Sequence, residues 1–203
     1  MQINQVPYLD HLSLMERYKE YAYPNLKVSQ LVRSGQLIKV RRGLYLDSQD
    51  TSYSMKTLAN LICFPSYLSF EYALCYYQMI PEQVEIYTSA SFNKTKNKTF
   101  HTPIGTFVYY YLNPSVYPFG ITRLEEKGQP FLIATKEKAI LDTLSKVRGV
   151  RSRRGLNTLL FEDLRLDEDI LRDLDPLDIE LLSTKYHQRN CHLFAQWLGS
   201  RKK

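Results

Sequence analysis

The stretch PNLKVSQLVRSGQLIKVRRGLYL, Pro24 to Leu46, restricts the fold more than any other part of the chain. Proline suits the first turn of a helix, where its missing N–H is not needed. Leu26, Val28, Leu31 and Val32 then recur at helical spacing, and Gly35 stands where a left-handed stop is expected. QLIKV and GLYL have strand composition and are joined by Arg41-Arg42-Gly43 as a tight turn. Upstream, Leu12, Met15, Tyr18 and Ala22 also keep helical spacing. Helix, turn, helix and β-hairpin in this order predict a winged helix-turn-helix over residues 1–50.

Charge is segregated along the 203 residues, whose net charge is +6. Ala22 to Leu46 carries five cations (Lys27, Arg33, Lys39, Arg41, Arg42) and no acid. Ile86 to Gly120 carries Lys94, Lys96 and Lys98, again without an acid. Lys146 to Gly155 packs Lys146, Arg148, Arg151, Arg153 and Arg154 into ten residues, whereas Glu162 to Glu180 holds nine carboxylates against Arg165 and Arg172. Two unlike surfaces follow, one for an anionic partner and one that repels it. The plainer reading of each cluster is a solvated face.

In a winged helix-turn-helix, Asn25, Lys27, Gln30 and Arg33 would lie on the recognition helix, offering amides and cations suited to base edges in a major groove. Lys39, Arg41 and Arg42 on the wing would meet phosphates or a narrow minor groove. Lys94, Lys96, Lys98, Arg148, Arg151, Arg153 and Arg154 form a candidate second contact with DNA, on one basic face with the wing. The alternative for the hairpin is that its arginines only keep it soluble.

Asp47 to Ser54 is polar and reads as a linker to a second domain, residues 55–203. PSYLSFEYALCYYQMIP reads as a helix capped by Ser69, with Phe70, Ala73, Leu74 and Tyr77 on one face and Pro81 closing it. QVEIYTSAS and GTFVYYYLNP are strand-rich, separated by the polar NKTKNKTFHTPI. Tyr109, Tyr110 and Tyr111 should alternate faces, leaving at least one exposed beside the lysine loop, where a half-buried sheet surface is favoured over base stacking. QPFLIA suggests a strand, Thr135 a cap, and KEKAILDTLSKV a helix with Ile140, Leu141, Leu144 and Val147 inward. Several helices are expected after Gly155. The fold class expected is therefore α+β: the winged helix, then a mixed α+β domain ending in helices.

Several functional classes lose support. No window approaches eighteen apolar residues, so no membrane span is expected. The amino terminus lacks a basic start and an apolar core, so no secretory signal is expected. Three cysteines without C-x-x-C spacing fit reduced thiols in a cytoplasm. No phosphate loop, nucleophile elbow or H-E-x-x-H occurs, and an enzyme is not expected. His187, Cys191 and His192 are the best metal candidates, but a structural zinc needs four ligands, and neither metal nor cofactor is expected.

Three segments, LVRSGQLIKVRRGLYL, PSYLSFEYALCYYQMIPEQVEIYTSAS and FLIATKEKAILDTL, in this order and spacing resemble the AbiEi family of antitoxins from type IV toxin–antitoxin systems, also described as predicted transcriptional regulators of viral defence. The resemblance runs from about residue 22 to 147. It implies a winged helix that represses the protein's own operon by cooperative binding to promoter repeats in double-stranded DNA. It also implies a second domain that neutralises a nucleotidyltransferase-like toxin without a stable complex. Glu137, Lys138 and Asp142 match the family's recurring Glu-Lys-Ala-x-x-Asp stretch; they look catalytic, but an acid at a helix start and a salt-bridged core face explain them better. The chain before Tyr21 departs from the family's first helices, and the acidic segment has no family counterpart. Two other readings stay open: a stand-alone transcriptional regulator whose carboxy-terminal domain senses a ligand or partner, and a metal-dependent nucleic-acid-processing enzyme using the carboxylates.

Overall fold

The computed structural model describes residues 7–92 and 96–201, so Lys94 of the lysine loop lies outside the described residues. The chain begins with a short strand, β1 (Tyr8–Asp10), then α1 (His11–Arg17), α2 (Pro24–Arg33) and the hairpin β2 (Leu37–Arg41) and β3 (Leu44–Asp47). Asp10 starts α1 by accepting from the Ser13 N–H at 2.7 Å. Gly35, at φ +74°, ends α2: its N–H donates to the Val32 carbonyl at 3.2 Å, and the Gln36 N–H to that of Leu31 at 2.9 Å. These bonds satisfy carbonyls that the last turn would leave open. The three strands form an antiparallel sheet in the order β1-β3-β2, with a bulge between Lys39 and Arg41 that lets Arg41 face Leu44.

Two helices and a hairpin therefore occur where the sequence places them, but the inward faces differ. In α1 the buried residue is Leu14, while Leu12 points outward and Ala22 lies beyond the helix. In α2, Val28 and Leu31 are buried and Leu26 is 53 % exposed. The strand β1 has no local signal in the sequence; it forms because β3 offers it a free edge.

The small sheet is covered on both sides. Leu37 and Tyr45 join Leu14, Val28 and Leu31 in a minor core under the two helices. Val40, Leu44 and Leu46 belong to the main core, together with Leu58, Ile62, Phe107 and Ile133. Alternation along β3 thus sends neighbouring side chains into two different cores.

The rest is built on a six-stranded mixed sheet in the order β6-β7-β5-β4-β9-β8. Its strands are β4 (Ser66–Leu68), β5 (Tyr87–Ser91), β6 (Lys98–Thr102), β7 (Gly105–Tyr111), β8 (Ile121–Glu126) and β9 (Gln129–Ala134). The β5–β7 and β4–β9 pairs are parallel and the others antiparallel. α3 (Met55–Ile62) covers one face, where Tyr109 donates to the Ala59 carbonyl at 2.6 Å and Asn60 pairs with the backbone of Leu132. α4 (Phe70–Tyr76) and α5 (Lys136–Lys146) cover the other, where Phe70 meets Tyr110 edge-on at 5.0 Å. α6 (Arg153–Asn157), a π-helical turn (Thr158–Asp163), α7 (Glu168–Asp173), α8 (Pro176–Ser183) and α9 (Arg189–Arg201) follow, with α8 and α9 packed on α5. The chain is mixed α+β, and among the described residues no helix is long and apolar enough to cross a membrane.

One expected helix is shorter than its pattern. Ser66–Leu68 is a strand, and the Ser69 side chain makes no cap bond, because its hydroxyl donates to Asp142 instead. Thr135, by contrast, caps α5 through the Lys138 N–H at 3.3 Å.

Candidate nucleic-acid interface

A helix turns 100° per residue, so the burial of Val28 and Leu31 fixes which side chains of α2 face outward. Leu26, Ser29, Gln30 and Arg33, at i, i+3, i+4 and i+7, form the stripe opposite the core, and all four are exposed. Asn25 is exposed on one flank. Lys27 lies on the other, half-buried, with its ammonium 5.0 Å from the Tyr21 ring centre. The sequence-predicted set on α2 is therefore divided: Gln30 and Arg33 share the outward face, Asn25 borders it, and Lys27 leans toward Tyr21.

The hairpin adds Lys39, Arg41 and Arg42, all exposed. Gly43, at φ +80°, makes the turn that presents the two arginines. Arg41 is partly engaged, donating to the carbonyls of Arg42 (3.0 Å) and Leu61 (3.4 Å). Its guanidinium is thereby aimed, while the Arg42 guanidinium has no hydrogen bond or ion pair among the described residues.

The second set begins beside the hairpin. β6, the edge strand of the large sheet, runs next to β2 and carries exposed Lys98, with Lys96 just before it. Lys98 stands opposite Tyr109 in the β6–β7 register. Burial first and Cys63 second push the Tyr109 phenol well up, and Arg41 pulls it the other way, so Arg41 lies within electrostatic reach of the residue that Lys98 faces. From there the Asn97 side chain accepts from the Tyr111 N–H at 3.0 Å, and Lys146 donates to the Tyr111 carbonyl at 2.8 Å. Lys146 lies against Phe70 and Tyr110, and this cover lowers its pKa while Asp142 pulls it up. Exposed Arg148 and Arg151 continue past it. Arg154 is exposed at the start of α6, and Arg153 lines a groove of about 610 Å³ between α8 and α9 with Glu180 and His192. Tyr109 is buried and Tyr110 and Tyr111 are half-buried, so none of the three is exposed as the sequence suggests, because helices cover both faces of the sheet.

Among the described residues, none of the site cations on α2, the hairpin, β6 or the 148–154 segment has a carboxylate within ion-pair distance. Several acids instead have partners of their own. Asp167 and Asp175 cap α7 and α8, Glu168 and Asp169 hold Arg172, and Glu82 holds Arg165. Much of the acidic segment is thus helix-end chemistry on the molecule's own account.

The second candidate cluster is buried. Lys138 and Asp142 are 0 % exposed and form an ion pair at 3.0 Å, one turn apart on α5. Asp142 also accepts from Tyr67 (2.9 Å), Ser69 (2.7 Å) and Tyr186 (2.6 Å), while Lys138 donates to Tyr186 (2.8 Å) and the Val116 carbonyl (3.1 Å). Burial lowers the Lys138 pKa against the pull of Asp142; it also pushes the neighbouring Cys191 thiol up to about 12. The network is buried, and it joins β4, the start of α4, α5 and the segment before α9. Cys191 faces the Leu141 carbonyl from the interior, with His187 and His192 exposed. Among the described residues no three His, Cys, Asp or Glu side chains are grouped to hold a metal ion.

Leu26 and Ser29 are members of these surfaces that residue chemistry alone did not single out, and Lys146 was seen as part of a basic cluster but not among the candidate contacts. The 100° turn would have found Leu26 and Ser29, since both lie opposite Val28 and Leu31. No protein-family model matches the chain, and no curated protein matches it.

Proposed function

We propose that this chain is a cytoplasmic DNA-binding antitoxin of the type IV kind, which represses its own operon through the α1–α2–β2–β3 unit, acting as a winged helix, and neutralises a nucleotidyltransferase-like toxin through the remainder. The observation that carries the reading is the exposed face of α2 and the adjoining hairpin: Gln30, Arg33, Lys39, Arg41 and Arg42 are all exposed, and among the described residues none of the four cations is in an ion pair. A solvated surface of an ordinary domain intersperses both signs; a surface of one sign favours a polyanion. The amide and guanidinium groups of α2 suit base edges, and the hairpin cations suit phosphates. Lys96, Lys98, Lys146, Arg148 and Arg151 would extend the phosphate track along the body. The resemblance to AbiEi antitoxins supplies the operon context and the toxin.

The test is a duplex from the chain's own promoter region, titrated in mobility-shift assays over a range of salt. Arg42→Ala and the double change Arg41→Ala with Arg42→Ala should weaken the shift. Each lost phosphate contact should also flatten the slope of log affinity against log salt by about 0.9. Growth rescue on co-expression with the adjoining toxin-like gene should persist. Unchanged affinity and slope in both variants would remove the hairpin from the interface. Arg42→Ala matters as the cleaner change, because Arg41 also holds the Leu61 carbonyl.

One observation favours a second reading, a stand-alone regulator that senses a ligand. A cleft of about 730 Å³ opens between the small sheet and the β8–β9 turn, lined by Tyr8, Asp10, Leu44, Leu61, Lys127 and Gln129 among others. A ligand there would press on β1 and β3. An adjoining nucleotidyltransferase-like reading frame separates the two readings in favour of the antitoxin.

A further inference from the structure

Leu26 stands in the wrong company for a surface leucine. It lies at the amino-terminal end of the outward face of α2, on the same stripe as Ser29, Gln30 and Arg33 and directly opposite the buried Val28 and Leu31, with half its surface open. An isolated apolar side chain on a surface needs no explanation. This one is followed along its stripe by a hydroxyl, an amide and a guanidinium, the three kinds of group that pair with polar base edges, the hydroxyl also donating to the Asn25 carbonyl. The thymine methyl is the apolar feature of the major groove, and a short apolar side chain is its complement. Tyr23, 74 % exposed at the residue before α2, widens the apolar end of the stripe toward the helix start, the end that a recognition helix presents to bases.

We propose that Leu26 is a specificity residue that reads the 5-methyl group of a thymine, so that the site recognised by α2 contains a T·A pair at that position. The inference rests on the DNA-binding reading above. Four residues at a 1.5 Å rise separate Leu26 from Gln30 by about 6 Å, less than two base-pair steps along a groove. Glutamine pairs with adenine and arginine with guanine. A helix lying along the groove therefore reads, in order, a thymine through Leu26, an adenine through Gln30 and a guanine through Arg33, within one half-site.

The experiment uses the full chain and a random-sequence duplex pool. The duplex that survives selection is resynthesised with each thymine replaced singly by deoxyuridine, which removes only the methyl group. At one position the replacement should weaken the native chain about fourfold, the equivalent of burying one methyl at about 0.8 kcal/mol. Leu26→Ala, exposed and expected to melt like the native chain, should bind the thymine and uracil duplexes equally. If no single replacement weakens a selected duplex, or Leu26→Ala keeps the penalty, the inference is overturned while DNA binding stands. If Leu26→Ala leaves the penalty intact and instead abolishes self-association seen by sedimentation, Leu26 belongs to a protein contact and the inference is again overturned. If no duplex is enriched and none binds in a salt-dependent way, the DNA-binding reading itself fails and takes this one with it.

Discussion

Replacing Asp142 by alanine should be among the most damaging single changes in the molecule. The carboxylate accepts from four donors, Lys138, Tyr67, Ser69 and Tyr186, and neither it nor Lys138 is exposed to water. Its loss leaves a buried ammonium with only the Tyr186 hydroxyl and the Val116 carbonyl. Breaking one partner out of a buried pair costs about 3–5 kcal/mol, and orphaned hydroxyls add to this. Against a total stability of about 5–15 kcal/mol, a loss near 4 kcal/mol should lower Tm by roughly 8–16 °C in a chain of this size. Urea titration followed by Trp197 fluorescence reads the loss directly, since the chain has one tryptophan and it is buried in α9. The companion variant Lys138→Met with Asp142→Leu removes both charges and should recover part of the loss, because the penalty comes from the unpaired charge rather than from absent attraction. If Asp142→Ala lies within 1 kcal/mol of the native chain, or the double variant is the less stable of the two, then the network is not the buried, charged brace described above (a threshold of about 1 kcal/mol, the worth of one ordinary hydrogen bond).

Gly120→Ala should destabilise by at least about 2 kcal/mol, because the residue sits at φ +65° and its Cβ would come within 2.8 Å of the Lys138 Cβ; Gly128→Ala, at φ +71° with open space, should cost only the backbone strain of about 1–2 kcal/mol. Paired urea midpoints for the two variants check the difference. Glu126 titrates below the ordinary glutamate value of 4.5: burial would raise it, but hydrogen bonds from Lys56 and Ser54, with the charges of Lys56 and Lys127, outweigh that. Its contribution is thus present above that value and lost as pH falls through the folded one, so the stability gap between the native chain and Glu126→Gln should close on acidification from about pH 5 to pH 3; a gap independent of pH would refute it.

What the sequence disclosed follows the range of the interactions involved. α5 was legible from end to end, because Thr135, the apolar spacing and Lys146 act within the helix itself. The hairpin was legible because Gly35 and Gly43 both require positive φ, a demand that shows in one residue. Ser69 misled, since a serine before an apolar run resembles a cap, yet its hydroxyl is taken by a carboxylate 73 residues away. β6 was hidden because an edge strand rich in Lys, Thr and His has no apolar alternation, and only its pairing with β7 makes it a strand. The DNA-facing candidates were partly legible. Arg41 and Arg42 stand out by charge, but Leu26 looked like core until the burial of Val28 and Leu31 fixed the helix's rotation. Asp142 and Lys138 were recognisable as a pair on one helix face. Tyr67, Tyr186 and Ser69 converge on Asp142 across 44 to 75 residues, a distance that no local spacing encodes.

The strand β3 has one more consequence. Leu44 and Leu46 pack in the main core while Tyr45 packs under the two amino-terminal helices, so a single strand ties the front end of the molecule to its trunk. Because adjacent side chains of one short strand serve both cores, a substitution that shifts β3 disturbs both at once.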